Sequence, residues 1–264
     1  MSLLMLRGPI LAQGGDALPP GPPPDEPVRF DTTRVPPAYD LVLDDTGYAR
    51  TGASNDYRRW LQSDKVLGLT DKNAAPVKWY WEIALTNGAS SMTGYLGVVE
   101  ASWWDNYNGN DNPLGGGSLG YAGAGTIWGN GTTSQRTGLE TYGAGDVVML
   151  AFSPATGAFW VGVNGVWDRD PETETASATS HTPGAEFRIS AQGRNVGDAG
   201  ILRSFVSQFS YSIPDGFIPI GTPNPQLDTL LARSLGGYAL LGRRAGVMNT
   251  RHLNAYLIVE DGTP

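Results

Sequence analysis

Residues 158–171 read AFWVGVNGVWDRDP, and this stretch decides the fold. Asn164-Gly165 fits a two-residue type I′ turn, whose two central positions need positive φ, a conformation that these residue types tolerate best. Phe159-Trp160-Val161 before the turn and Val166-Trp167 after it suit pleated, half-buried strands. The stretch therefore predicts a β-hairpin. Phe159, Trp160 and Trp167 are all expected to build a core rather than a ligand platform.

The same grammar extends in both directions. DVVMLAFS leads into the hairpin as a further strand, turning at Ser153–Gly157. KWYWEIAL (78–85) alternates, with Trp79, Trp81, Ile83 and Leu85 on one face and Lys78, Tyr80, Glu82 and Ala84 on the other. GYLGVVEA (94–101) follows across the small polar turn NGASS, and EFRISAQ (186–192) and FSYSIPDGFIPI (209–220) add further strands. No amphipathic helix stands out between 30 and 220. An all-β, antiparallel sandwich buries such alternate aromatics between two sheets.

Composition agrees. With 36 Gly, 19 Pro and 17% charged residues among 264, the chain suits many short strands joined by turns. A formal charge of −8 argues against nucleic acid as a partner, because a phosphate backbone calls for a basic face. The cluster Arg233, Arg243, Arg244 and Arg251 is too sparse to change that, and reads as solvated. Zero cysteines exclude disulfides, thiolate chemistry and Cys-ligated metal. No stretch approaches the roughly 20 apolar residues of a membrane span, and Arg7-Gly8-Pro9 breaks the only run resembling a signal peptide.

Three regions follow. Residues 1–29 form a Pro-rich arm in which Leu3, Leu4, Leu6, Ile10 and Leu11 precede LPPGPPPDEP, an extended, polyproline-like segment with no core of its own. It reads either as a loose terminus or as a tether whose apolar end docks on another subunit. Residues 30–220 form the sandwich. Residues 221–264 form a tail in which RHLNAYLIVEDG alternates like a strand. Tyr256 and Ile258 oppose Leu257 and Val259 there, so both faces lean apolar and suit an intersubunit contact. A homo-oligomer or an assembled particle is expected.

The order KWYWEIAL, GYLGVVEA, LGYAGAGTIWGNG, YGAGDVVMLAFSPATGAFWVGVNGVW and FSYSIPDGFIPI resembles the SPRY (B30.2-like) domain across about residues 38–220, most of all the versions found in structural proteins of tailed bacteriophages. The chain departs from the family pattern at RSFVSQ (203–208) and in the extension GRNVGDAGILRS (193–204), which leaves the local geometry open there. The resemblance implies a SPRY-like sandwich that recognises partners through loops at one end. It implies a non-enzymatic virion protein, assembled in the bacterial cytoplasm: a tail-fibre or receptor-binding accessory, or alternatively a head or collar decoration protein. Its partners would be other virion proteins, bound through both termini, and a host surface glycan or protein. A ubiquitin-ligase adaptor of the kind that carries Cys/His zinc modules is excluded within this chain by the missing cysteines.

A carbohydrate-active enzyme or a lectin-like glycan-binding module is the alternative from a different class. Glycosidases need two carboxyls about 5–9.5 Å apart across one cleft. Glu82 stands alone among aromatics, Glu100 ends its strand, and DPETE (170–174) reads as a solvated loop. His181 and His252 are far apart and lie in no triad motif. WWDNYNGNDNP (103–113) fails the calcium-loop pattern, and LGGGSLGYAGAG lacks the Lys-Ser/Thr of a phosphate loop. No catalytic residue, metal or cofactor is assigned. The binding candidates are Trp103, Trp104, Asp105, Asn106, Tyr107 and Asn108, aromatic faces beside polar groups, with Trp128 and Arg136 as a second rim.

Overall fold

The computed structural model describes residues 27–34, 39–42, 44–51, 60–67, 76–88, 94–102, 117–129, 133–173, 175–180, 182–193 and 195–222. In chain order the strands are β1 (Tyr39–Val42), β2 (Gly47–Arg50), β3 (Leu61–Leu67), β4 (Lys78–Asn87), β5 (Tyr95–Glu100), β6 (Leu119–Ala122), β7 (Thr126–Gly129) and β8 (Thr133–Thr137). There follow β9 (Val147–Ser153), β10 (Ala158–Val163), β11 (Val166–Trp167), β12 (Ala178–Thr179), β13 (Phe187–Ala191), β14 (Ala199–Arg203) and β15 (Phe217–Pro219). Sheet I has the order β1-β2-β14-β4-β9-β10-β11, with β12 on β10 and β15 on β4. Sheet II has the order β3-β13-β5-β6-β7-β8. All pairings are antiparallel except β15 on β4, so the chain forms the expected all-β sandwich.

Alternation builds the core as the sequence implies. Trp79, Trp81, Ile83 and Leu85 of β4 all point between the sheets, with Phe152, Phe159 and Val161 beside them and Leu96, Val98, Tyr121 and Ile189 opposite. Phe152 meets Phe187 across the layers edge to face, with centroids 4.8 Å apart. Each such side chain contributes about 1.5–3 kcal/mol relative to an exposed one. Val28 and Phe30 also reach this core, and Phe30 bridges to Ser63.

The hairpin forms as read. Asn164 and Gly165 take φ of 51° and 86°, and Val163 pairs with Val166. Asn164 Oδ1 accepts from the Val147 N–H at 2.9 Å, and its Nδ2 donates to Asp146 at 2.7 Å. The aromatics divide, however. Phe159 joins the inter-sheet core, whereas Trp160 and Trp167 lie on the outer face of sheet I. Adjacent residues of a strand cannot share a face, and Gly162↔Trp167 pairing puts Trp167 on the same side as Trp160.

One further expectation is corrected, and two connections left open by sequence are placed. Strands β4 and β5, on either side of NGASS, belong to opposite sheets and do not pair with each other. The unusual extension contains β14, which pairs with both β2 and β4 inside sheet I. Of 209–220, only Phe217–Pro219 is strand. Residues 209–216 instead cover the outer face of sheet I. There Phe209, Tyr211 and Ile213 pack on Tyr80, Met149 and Trp160.

Candidate functional site

The predicted binding loop leaves β5 and returns at β6. Trp103, Trp104, Asp105, Asn106, Tyr107 and Asn108 lie outside the described residues, as do the anchoring candidates Leu3, Leu4, Leu6, Ile10, Leu11, Tyr256 and Ile258. The two stems of the loop are described, and they are tied together. Glu100 accepts from Ser102 Oγ at 2.6 Å and from the Gly117 N–H at 3.3 Å. The Glu100 N–H donates to Ser118 Oγ at 3.3 Å, and Ser180 Oγ donates to the Gly117 carbonyl at 2.6 Å. A Cβ on Gly117 would stand 2.7 Å from Ser180 Oγ, 2.9 Å from Thr182 Oγ1 and 3.1 Å from Glu100 Oε2, so this position admits only glycine without a shift. Glu100 is therefore a clasp at the base of a loop. Only its place at the end of a strand was readable from sequence.

The second rim does not exist as a unit. Ile127 pairs with Arg136 and Trp128 with Ser134, so Trp128 and Arg136 project to opposite faces of sheet II. Trp128 is half-buried on the outer face. Arg136 turns toward sheet I and its Nη2 meets Asp168 Oδ1 at 2.9 Å, a strap between the open edges of the two sheets.

Nor do the carboxylates form a catalytic pair. Glu82, fully buried in sheet I, accepts from Tyr80 Oη at 2.8 Å, Arg203 Nη1 at 3.2 Å, and the N–H groups of Ser210 and Tyr211 at 2.8 and 2.9 Å. Four donors occupy its acceptor sites, and they fix residues 209–216 over the sheet. Burial, reinforced by the Glu82 charge, pushes the Tyr80 hydroxyl far above its ordinary pKa. Glu100 lies in the other sheet. Asp170, at the exposed start of DPETE, is held below the ordinary carboxylate range by the Glu172 N–H and the Thr173 hydroxyl. Among the described residues no group of three or more His, Cys, Asp or Glu is placed to hold a metal ion.

Two polar groupings escaped the sequence reading because strand register alone assembles them. At the end of sheet I away from the binding loop, Tyr39 lies opposite Arg50 on β1 and β2. The buried Arg50 guanidinium donates to Tyr39 Oη and to the Gly193 carbonyl. Burial pushes the Tyr39 hydroxyl up to about 12, against the lowering effect of Arg50. On the outer face of sheet II, Gln62, Ser190 and Gln192 are buried, yet their side-chain polar atoms have no hydrogen-bond partner.

No family model matches the chain. No curated protein matches it in sequence. Solved structures similar to it include the SPRY domain of human HERC1, at 14% identity over 66% of this chain and 96% of that one, with a TM-score of 0.48. The PSpry domain of TRIM65 is similar at 15% identity over 67% and 90%, with a TM-score of 0.45. A human SPRY domain is similar at 15% identity over 62% and 96%, with a TM-score of 0.43.

Proposed function

We propose that this chain is a non-enzymatic binding module of a tailed-phage particle, a tail-fibre or receptor-binding accessory that presents the loop between β5 and β6 to a host surface. The observation that carries the binding reading is the clasp beneath that loop. Glu100, Ser118 and Ser180 fix both stems, so a variable loop can change without disturbing the sandwich. Glu82 on sheet I, bound by four donors, and Glu100 on sheet II, bound into the loop clasp, favour binding over a carboxylate pair. The assignment to a particle rests on the sequence resemblance and on the apolar residues of the two termini, which suit docking on other subunits.

Replacing Trp104 and Tyr107 together with Ala tests the loop. Adsorption to host cells falls while the melting temperature stays within about 2 °C of the parent, the range of a surface substitution. Normal adsorption with a large melting shift would assign both aromatics to the core. Particle assembly tests the ends: chains lacking residues 1–27 or 250–264 fold but fail to incorporate, and normal copy numbers for both would refute anchoring. Turnover of host polysaccharide that Glu82→Gln or Glu100→Gln abolishes, in a variant that keeps the parent's melting temperature, would favour the enzyme reading instead.

A further inference from the structure

The sequence contains Asn-Gly at 87–88, 108–109, 130–131 and 164–165. The first and the last pair are described, and they lie at one end of sheet I. The Asn164 N–H donates to the Val147 carbonyl at 2.9 Å, and Val147 pairs with Ala84 near the end of β4. The other end of β9 turns at Gly157, whose carbonyl accepts from the Ser180 N–H of the loop clasp at 2.7 Å. Both asparagines are exposed. One dipeptide in one solvent environment is thus held in two ways.

At Asn164 the carboxamide is locked. Its Oδ1 accepts from the Val147 N–H at 2.9 Å, and its Nδ2 donates to the Asp146 carboxylate at 2.7 Å. Gly165 is fixed on the tight turn beside the Tyr211 ring, which a Cβ would approach to 2.8 Å. At Asn87 the carboxamide is loose. Its one hydrogen-bond partner among the described residues is the N–H of Gly88, which donates to Asn87 Oδ1 at 3.0 Å. Asn87 is the last residue of β4 and lies opposite Ala199, where the register slips before Gly200. Strand ends open more readily than strand interiors. Without a Cβ, Gly88 leaves its nitrogen unhindered and its backbone free to turn.

We propose that Asn87 is a modification site, at which the chain converts its own asparagine to aspartate and isoaspartate. The Gly88 nitrogen, having given its proton to hydroxide, attacks Asn87 Cγ. The N–Cγ bond forms, the Cγ–Nδ2 bond breaks, and Nδ2 leaves as ammonia with a proton taken from water. Water then opens the five-membered succinimide at either carbonyl. The product carries an added negative charge at the end of β4, and the isoaspartate form inserts a methylene into the backbone where the chain leaves sheet I. The same attack at Asn164 must first break both side-chain bonds, so the fold protects that pair. The site lies at the end of the sandwich away from the clasp, so it stands or falls apart from the binding-module reading.

The test incubates the full chain in mildly alkaline buffer made with heavy-oxygen water. Peptides carrying each asparagine are then resolved by chromatography and mass spectrometry. Asn87 should convert to labelled aspartate and isoaspartate at least about tenfold faster than Asn164, where two bonds must break, one of them to a carboxylate. A parallel incubation in urea removes the fold, and there the two rates should converge. Equal rates in the native chain, or faster conversion at Asn164, overturn the proposal. So does a native gap that persists in urea, because the neighbouring residues in sequence, and not the hold on the carboxamide, would then set it.

Discussion

The two outer faces of the sandwich bury polar groups in opposite ways. On sheet I the chain covers itself. Residues 209–217 lay Phe209, Tyr211, Ile213 and Phe217 over Tyr80, Met149 and Trp160, and the buried Glu82 receives four donors. Among the polar atoms of that layer, Trp160 Nε1 lacks a partner. On sheet II, Gln62, Ser190 and Gln192 are buried just as deeply and receive none. A charge placed in a core has to be satisfied within the chain or the fold does not form, so the first face reports on stability. Neutral amides cost less to leave unpaired, so a fold can carry them. The second face carries buried neutral groups that go unpaired.

Alkali is the harshest way to break the closed side together with the core beneath it, since Tyr80 lies in the first and Tyr39, Tyr48, Tyr121 and Tyr142 in the second. Tyr48, Tyr80, Tyr121 and Tyr142 all titrate well above the ordinary tyrosine range because burial disfavours the phenolate, and Tyr39 moves from 10.0 to about 12. A pKa raised in the folded state leaves stability intact below the unfolded value. Stability then falls as the unfolded chain ionises and the folded one does not. Circular dichroism should therefore show a steady molecule up to pH 10 and cooperative unfolding toward pH 12. Tyrosine absorbance should rise with the same midpoint, whereas phenolate absorbance that precedes unfolding would mean that these hydroxyls are open to solvent.

Glu82→Ala comes next. It removes the shared acceptor of the Arg203 guanidinium, the Tyr80 hydroxyl and two backbone N–H groups, at a cost of about 3–5 kcal/mol, the range for breaking one partner out of a buried pair. Urea unfolding measures it, and a change below 1 kcal/mol would mean that the layer over sheet I is held by its aromatics alone. Gly165→Ala should cost about 1–2 kcal/mol, because φ of 86° is unfavourable for alanine. The added Cβ would also stand 2.8 Å from the Tyr211 ring, so proteolysis within 209–216 should accelerate. Tyr80→Phe removes one bond to Glu82 and should cost about 1 kcal/mol in the same unfolding assay.

How much of this could be read beforehand follows from where the information sits. The hairpin at Asn164-Gly165 and the alternation of 78–85 were legible because turn chemistry and period are local. The strand β14 was not, since AGILR is short and its place between β2 and β4 is set by partners more than 110 residues earlier. The stretch 209–216 looked like strand because its aromatics alternate, but Glu82 takes two of its N–H groups and turns it into a cover. For the binding loop, sequence indicated its aromatics, while the clasp at Glu100 and Ser180 joins residues 80 apart in the chain. The buried group of Gln62, Ser190 and Gln192 was invisible for the same reason, because the register of β3 and β13 assembles it. Trp128 was singled out while paired with Arg136, a residue on the other face.

The contrast between the faces is measured most directly by one pair of melts. Gln62→Leu with Ser190→Ala removes three orphaned polar atoms from sheet II and nothing that is bonded. Apolar groups of similar shape should leave stability unchanged or raise it by up to about 1 kcal/mol, whereas Glu82→Leu on sheet I should lower it by several times that amount. Opposite signs, or no loss on sheet II against a large loss on sheet I, are the predicted result. A comparable loss of stability on both faces would contradict the account, because it would mean that the chain completes sheet II as fully as it completes sheet I.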